Sequence, residues 1–204
     1  LSGVGLLDER KYWRRVLIEK PFGTNLPSAQ ALQADLTKHL KESQIYRIDH
    51  YLGKSALQNI MLTRFTNTMF EPLWNNQYVD HVQITNNETL GVGDRTQFYD
   101  STGALRDMVQ SHLLQTLALV AMEQPKDLSP ESIRAEKIKL LESIEPIPVS
   151  EINKHTFRAQ YAAGRVCVGD GHGENVHGYL EELTRDGITE SHTETYAALK
   201  LFIN

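Results

Sequence analysis

The sequence predicts an α+β fold, with helices packed on a mostly antiparallel or mixed sheet. Apolar residues recur at helical spacing in several segments, and short apolar or alternating runs of strand length lie between them. Hydrophobic residues make up 40% and charged residues 23% of the 204 positions, the balance of a soluble globular domain.

In chain order, Arg15-Val16-Leu17-Ile18-Glu19-Lys20 reads as a short buried strand that Pro21-Phe22-Gly23 ends. Asn25 or Ser28 can cap the helix that follows, whose apolar positions are Ala29, Leu32, Leu36 and Leu40. Ile45 to Ile48 reads as a second strand, with Asp49-His50-Tyr51 at its end. A helix starts near Ser55 and carries Leu57, Ile60, Met61 and Phe65 on one face. His81 to Asn86 alternates like a half-buried strand, and a glycine-rich turn follows at Gly91 to Asp94. The strongest helical stripe runs from Ser101 to Met122, through Leu105, Met108, Val109, Leu113, Leu117 and Val120. A further helix follows Pro130, with Ser129 as its cap and Glu131 in its first turn. Glu145 to Val149 reads as loop or short strand. The stretch from Gly164 to Ser191 is rich in glycine, histidine and acidic residues, and Thr195 to Ile203 closes the fold as a strand.

Net charge is -5, and the 21 basic residues are scattered, which argues against nucleic acid as a partner. No apolar run approaches the roughly 20 residues of a membrane helix. The single cysteine, Cys167, forms no internal disulfide and belongs to no cysteine-pair metal motif, so a cytoplasmic setting is expected. The chain begins at Leu1 without a signal-peptide pattern, and further sequence upstream is expected. Gly3-Val4-Gly5 lacks the third glycine and the preceding strand of a dinucleotide fingerprint.

Three constellations could carry chemistry. Asp49-His50-Tyr51-Leu52-Gly53-Lys54 delivers an acid, an imidazole, a phenol and a lysine from one strand end. His50, Tyr51 and Lys54 could converge on a phosphate, or the segment could be a polar strand end in solvent. His112 lies on the apolar helix stripe, as a core histidine or as a general base. Asp107, five residues earlier, is turned by about 140° in an ideal α-helix and cannot pair with it directly. Lys20 precedes a proline, which favours extended geometry and makes a cis bond accessible; it could be an exposed loop cation or a ligand. Asp170, His172, Glu174, His177, Glu181, Glu182 and His192 are metal-capable types without metal spacing, and no metal site is expected.

Taken together, Glu19-Lys20-Pro21-Phe22-Gly23, Arg47 to Lys54 and Arg106-Asp107-Met108-Val109-Gln110-Ser111-His112-Leu113-Leu114-Gln115 resemble, in order and spacing, the glucose-6-phosphate dehydrogenase family. Gln160 to Gly164, Gly178 to Glu182 and Thr193 to Tyr196 also look like it. The resemblance implies oxidation of D-glucose 6-phosphate at C1 to the 6-phosphogluconolactone, with hydride passing to NADP or NAD, a step of the pentose phosphate pathway. It implies that His112 is the general base and that Asp49 orients it. His50, Tyr51 and Lys54 would hold phosphate, and Glu88 and Asp107 would bind sugar hydroxyls. Lys20 would touch both substrate and cofactor, with Pro21 at a hinge. Residues 1–20 would end a dinucleotide-binding domain and 21–204 would form a truncated substrate-binding domain. The chain alone is expected to be inactive, and the full-length protein to be a homodimer or homotetramer.

Three positions depart from the family pattern: Ser55 after the Gly-Lys pair, Gln97-Phe98-Tyr99-Asp100 in place of Gly-Tyr-Phe-Asp, and Ser111 in place of asparagine. Ser55 and Gln97-Phe98-Tyr99 motivate an alternative, a non-catalytic relative that keeps the fold as a sugar-phosphate-binding or assembly module. A third reading is a metalloprotein using His172, His177 and His192.

Overall fold

The computed structural model describes residues 7–9, 12–168 and 172–204. Gly3-Val4-Gly5 and Asp170, singled out above, lie outside the described residues. The chain forms two compact units, Leu1–Gly53 and Lys54–Asn204.

In the first unit, β1 (Val16–Ile18) pairs in parallel with β2 (Ile45–Arg47), Val16 opposite Ile45. A parallel pair needs a crossover connection, and α1 (Leu26–Thr37) lies within it. Asn25 starts α1 through a reciprocal cap: its Oδ1 accepts from the Ser28 amide, and Ser28 Oγ accepts from the Asn25 amide, each at 3.0 Å. The Lys20–Pro21 bond is cis. Gly23 follows with φ of 101°, and a Cβ there would stand 2.6 Å from the Ala29 amide nitrogen. Only glycine fits this turn.

The second unit opens on α2 (Ser55–Phe65). After an irregular stretch come α3 (Thr96–Ala104), a π-helical segment (Leu105–Leu113) and α4 (Leu114–Ala121). α5 (Pro130–Glu142) begins at Ser129, whose Oγ accepts from the Ser132 amide at 3.3 Å. α2 and α5 both pack against α4. The short α6 (Ile152–His155) leads into β3 (Thr156–Ala159). β4 (Gly164–Val168) and β5 (His172–Val176) form an antiparallel hairpin, followed by α7 (Tyr179–Arg185) and β6 (Tyr196–Leu199). β6 pairs antiparallel with β3, Leu199 opposite Thr156.

The α+β class holds, but the sheet is distributed. Among the described residues there are three separate two-stranded pairs, one parallel and two antiparallel. The stretch 81–86 forms no strand. Of its two aliphatic residues Val82 is 46% exposed and Ile84 half-buried, so the alternation buries little, and periodicity alone does not supply a pairing partner. The expected helix from Ser101 to Met122 begins earlier, at Thr96, and breaks at Gly103 with φ of 74°. Gly164 to Ser191 contains a hairpin and a helix that composition did not reveal.

A buried cluster of Val92, Tyr99, Tyr179 and Leu183 joins α3 to α7, with Tyr161 and Ile188 packed on it. The Tyr179 ring meets the Tyr99 and Tyr161 rings edge-on, at centroid distances of 6.1 and 5.8 Å. Each hydroxyl here has a partner. Tyr179 donates to Asp100 Oδ1 at 2.8 Å, Tyr161 accepts from the Val92 amide at 3.1 Å, and Tyr99 reaches the Glu194 carbonyl at 3.5 Å. Burial first, then the negative fields of Asp107, Glu194 and Glu88, push the Tyr99 phenol up to about 12. Burial also raises Tyr161 and Tyr179.

A Cβ at Gly103 would stand 2.7 Å from Glu194 Oε1 in a left-handed backbone, so Gly103→Ala is expected to cost about 1–3 kcal/mol in urea denaturation. The tyrosines give the fold an alkaline limit. An unfolded phenol releases its proton near pH 10, before the raised folded one does, so their contribution is complete below about pH 10 and is lost as pH climbs towards 12. Stability measured between pH 9 and 12 is expected to fall, and Tyr99→Phe to make that fall shallower.

Candidate active site

Lys20 follows β1 by two residues, and Asp49-His50-Tyr51 follow β2. Both sets therefore stand at the carboxyl ends of parallel strands, where open parallel sheets present ligand-binding groups. The two ends adjoin: His50 Nε2 lies 3.2 Å from Glu19 Oε2, an exposed pair of small energetic weight. Asp49 is half-buried and turns the chain locally. Its Oδ1 accepts from the Tyr51 amide at 2.9 Å and its carbonyl from the Leu52 amide at 3.1 Å. One carboxylate oxygen is thereby fixed by the backbone. Tyr51 is half-buried, and a single 3-10 turn over His50–Gly53 completes the unit.

In the second unit Lys54 is the N-cap residue of α2. Asp107 and His112 both lie on the π-helical segment, Asp107 half-buried and His112 only 6% exposed. Here the structure changes the expected geometry. A π-helix bonds residue i to i+5, as the Leu114 amide does to the Val109 carbonyl. Residues five apart are then turned by about 50°, instead of by about 140° as in an α-helix. Asp107 and His112 thus share one side of the helix. Ser111 Oγ donates to the Asp107 carbonyl at 2.5 Å, a bond back to the residue four before it. Glu88 lies in the irregular stretch before α3 and, with Asp107, adds to the negative field that raises Tyr99.

The helical run that carries Asp107 and His112 is held at both ends. At its start the Leu105 amide donates to Glu194 Oε1 and the Ala104 amide to the Glu194 carbonyl, each at 3.0 Å. Arg158 stands 3.5 Å from the other Glu194 oxygen. Below this cap, Asp100 gathers Tyr179, Ser191 and Thr193: Ser191 Oγ donates to its carboxylate, and Thr193 Oγ1 to its carbonyl at 2.6 Å. At its end Arg64, 2% exposed, donates to the carbonyls of Leu119, Val120 and Met122 at 2.8 to 3.0 Å.

Tyr99, Glu194 and Arg64 are the residues that sequence reasoning missed as supports of this site. The signal for Arg64 was a cation seven positions after Leu57, on the same apolar face of α2. His177 pairs with Glu181 at 3.1 Å, and no metal-binding group of three acidic, histidine or cysteine side chains occurs among the described residues. No described helix is long and apolar enough to cross a membrane.

Residues 1–59 match the family model described as glucose-6-phosphate dehydrogenase, NAD binding domain, and residues 61–204 match the C-terminal domain model of the same family. The chain is 49% identical over 193 residues to the glucose-6-phosphate 1-dehydrogenase of Bacillus subtilis, covering 94% of this chain and 38% of that protein. It is 50% identical over 196 residues to the Treponema pallidum enzyme of the same name, covering 96% and 37%. A solved glucose-6-phosphate dehydrogenase in complex with its substrate glucose-6-phosphate superposes with a TM-score of 0.82 at 37% identity, over 97% of this chain and 38% of that one. The Mycobacterium avium glucose-6-phosphate 1-dehydrogenase superposes at 0.75 with 38% identity, over 93% of this chain and 38% of that one. The chain thus spans 37–38% of the length of these relatives, and with both halves matched in order it belongs to the glucose-6-phosphate dehydrogenase family.

Proposed function

We propose that this chain is part of a glucose-6-phosphate 1-dehydrogenase that oxidises D-glucose 6-phosphate at C1 to 6-phosphogluconolactone. Family membership carries the reading. The placement of Lys20 and Asp49-His50-Tyr51 at parallel strand ends, and of Asp107 and His112 on one helix side, supports it. His112 is assigned as the base whose imidazole nitrogen takes the C1 hydroxyl proton. Asp49 is assigned as the carboxylate that favours its imidazolium. Lys54, His50 and Tyr51 are assigned to the phosphate, Lys54 as a point charge and the others as orienting donors. Glu88 and Asp107 accept hydrogen bonds from sugar hydroxyls.

A bound nicotinamide, NADP or NAD, supplies the hydride acceptor. Of this chain's residues Lys20 suits that side best, half-buried at the carboxyl end of β1 where a parallel sheet presents ligand groups. The proposal places the enzyme in the cytoplasm, as a homodimer or homotetramer, in the pentose phosphate pathway.

The full-length protein is expected to reduce NADP or NAD only when glucose 6-phosphate is added, followed by nicotinamide absorbance; no reduction of either cofactor would sink the proposal. His112→Asn is expected to lower kcat by about 10²–10⁴-fold while leaving KM nearly constant. The isolated 204-residue chain is expected to show no turnover.

A further inference from the structure

Arg64 satisfies every donor it has. Its Nε and one terminal nitrogen bind Glu71 in a fork at 3.2 and 2.9 Å. The remaining three N–H groups go to the carbonyls of Leu119 and Val120 at 3.0 and 2.8 Å and of Met122 at 2.8 Å. Carbonyls in the last turn of a helix have no intrahelical partner, and the negative end of the macrodipole favours a cation. Phe65 and Trp74 flank the guanidinium at 4.7 and 5.5 Å, and Trp74 Nε1 donates to the same Val120 carbonyl at 2.7 Å. A buried guanidinium with five acceptors in a fixed fork has one geometry. Arg64 therefore joins the end of α2 to the end of α4 as a rigid joint.

Two arms lead back from that joint. Along α2 the chain runs from Arg64 to Lys54, roughly 15 Å of helix. Along α4 it runs from Val120 to His112, roughly 12 Å. At the tips of the arms stand the lysine assigned to the phosphate and the histidine assigned to C1. A tilt of about 5° at the joint moves a tip by roughly 1 Å over an arm of this length. Misplacement on that scale can cost about 10²-fold in rate.

We infer that Arg64 is a positioning residue that sets the spacing between the phosphate-holding end and the proton-abstracting end of the site. This rests on the roles proposed above for Lys54 and His112. Its consequence is specific to phosphorylated substrate. Binding energy at the phosphate accelerates reaction at C1 only if both ends are in register. Unphosphorylated glucose does not use Lys54 and is indifferent to the spacing.

The test uses the full-length protein and compares kcat/KM for glucose 6-phosphate with kcat/KM for glucose on the same preparation, so that any unfolded fraction cancels from the ratio. Arg64→Lys keeps the charge but offers three donors in place of five, and the ratio is expected to fall tenfold or more. Glu71→Gln keeps the shape and weakens the fork, and is expected to lower the ratio by a smaller factor; it carries the test should Arg64→Lys prove insoluble. Adding Arg64→Lys to Lys54→Ala is expected to change the ratio little, because the contact it aligns is already gone. A ratio within twofold of the unsubstituted enzyme in the folded variants overturns this inference alone. An unsubstituted protein with no sugar-phosphate-dependent reduction overturns the functional reading, and this inference with it.

Discussion

Two buried charges hold the helical run that bears Asp107 and His112. Glu194 caps its start at Leu105, and Arg64 closes its end at Leu119, Val120 and Met122. Each charge sits where the helix dipole favours it, anion at the amino end and cation at the carboxyl end. The helix needs this support because its first two turns are π-helical, a form that is rare by itself and recurs at functional sites. Neither charge is left uncompensated: Arg158 stands by Glu194, and Glu71 forks onto Arg64.

The amino-terminal support reaches further. Glu194 lies between Thr193, bound to Asp100, and Thr195, whose hydroxyl accepts from the Tyr161 amide at 2.8 Å. The Asp100 carboxylate also takes the Tyr179 hydroxyl, and Tyr179 is the centre of the buried aromatic cluster. The segment before β6 thus couples the tyrosine core to the start of the π-helical turns. Burial and polar satisfaction act together here, since every phenol that the core removes from water finds a partner.

Much of the fold was legible because its signals are local. The Asn25 and Ser129 caps mark helix starts by short-range hydrogen bonds, and β1 and β2 stand out by apolar content. What was hidden depends on partners distant in sequence. Ile84 is half-buried, but a strand needs a neighbour that periodicity cannot supply. The pairing of β4 with β5 is held by ladder bonds between residues without apolar alternation. In the candidate site His112 stood out as a polar residue on an apolar stripe. Its relation to Asp107 did not, because the angle between them follows from the helix type, which no local sequence pattern marks. Arg64 drew no reading from the sequence, because three of its five acceptors are carbonyls more than fifty residues away.

The two supports also constrain the length of the gene in this region. Loss of one codon from the α-helical turns between Leu114 and Ala118 would rotate everything beyond it by about 100° and draw it back by about 1.5 Å. The Leu119, Val120 and Met122 carbonyls would leave Arg64, and the fully buried Ala118 would turn from its packing. A codon lost inside the π-helical turns differs, because a π-turn holds one more residue than the α-turn it replaces and takes up the loss by relaxing. Length is therefore held most tightly in α4, where no such slack exists.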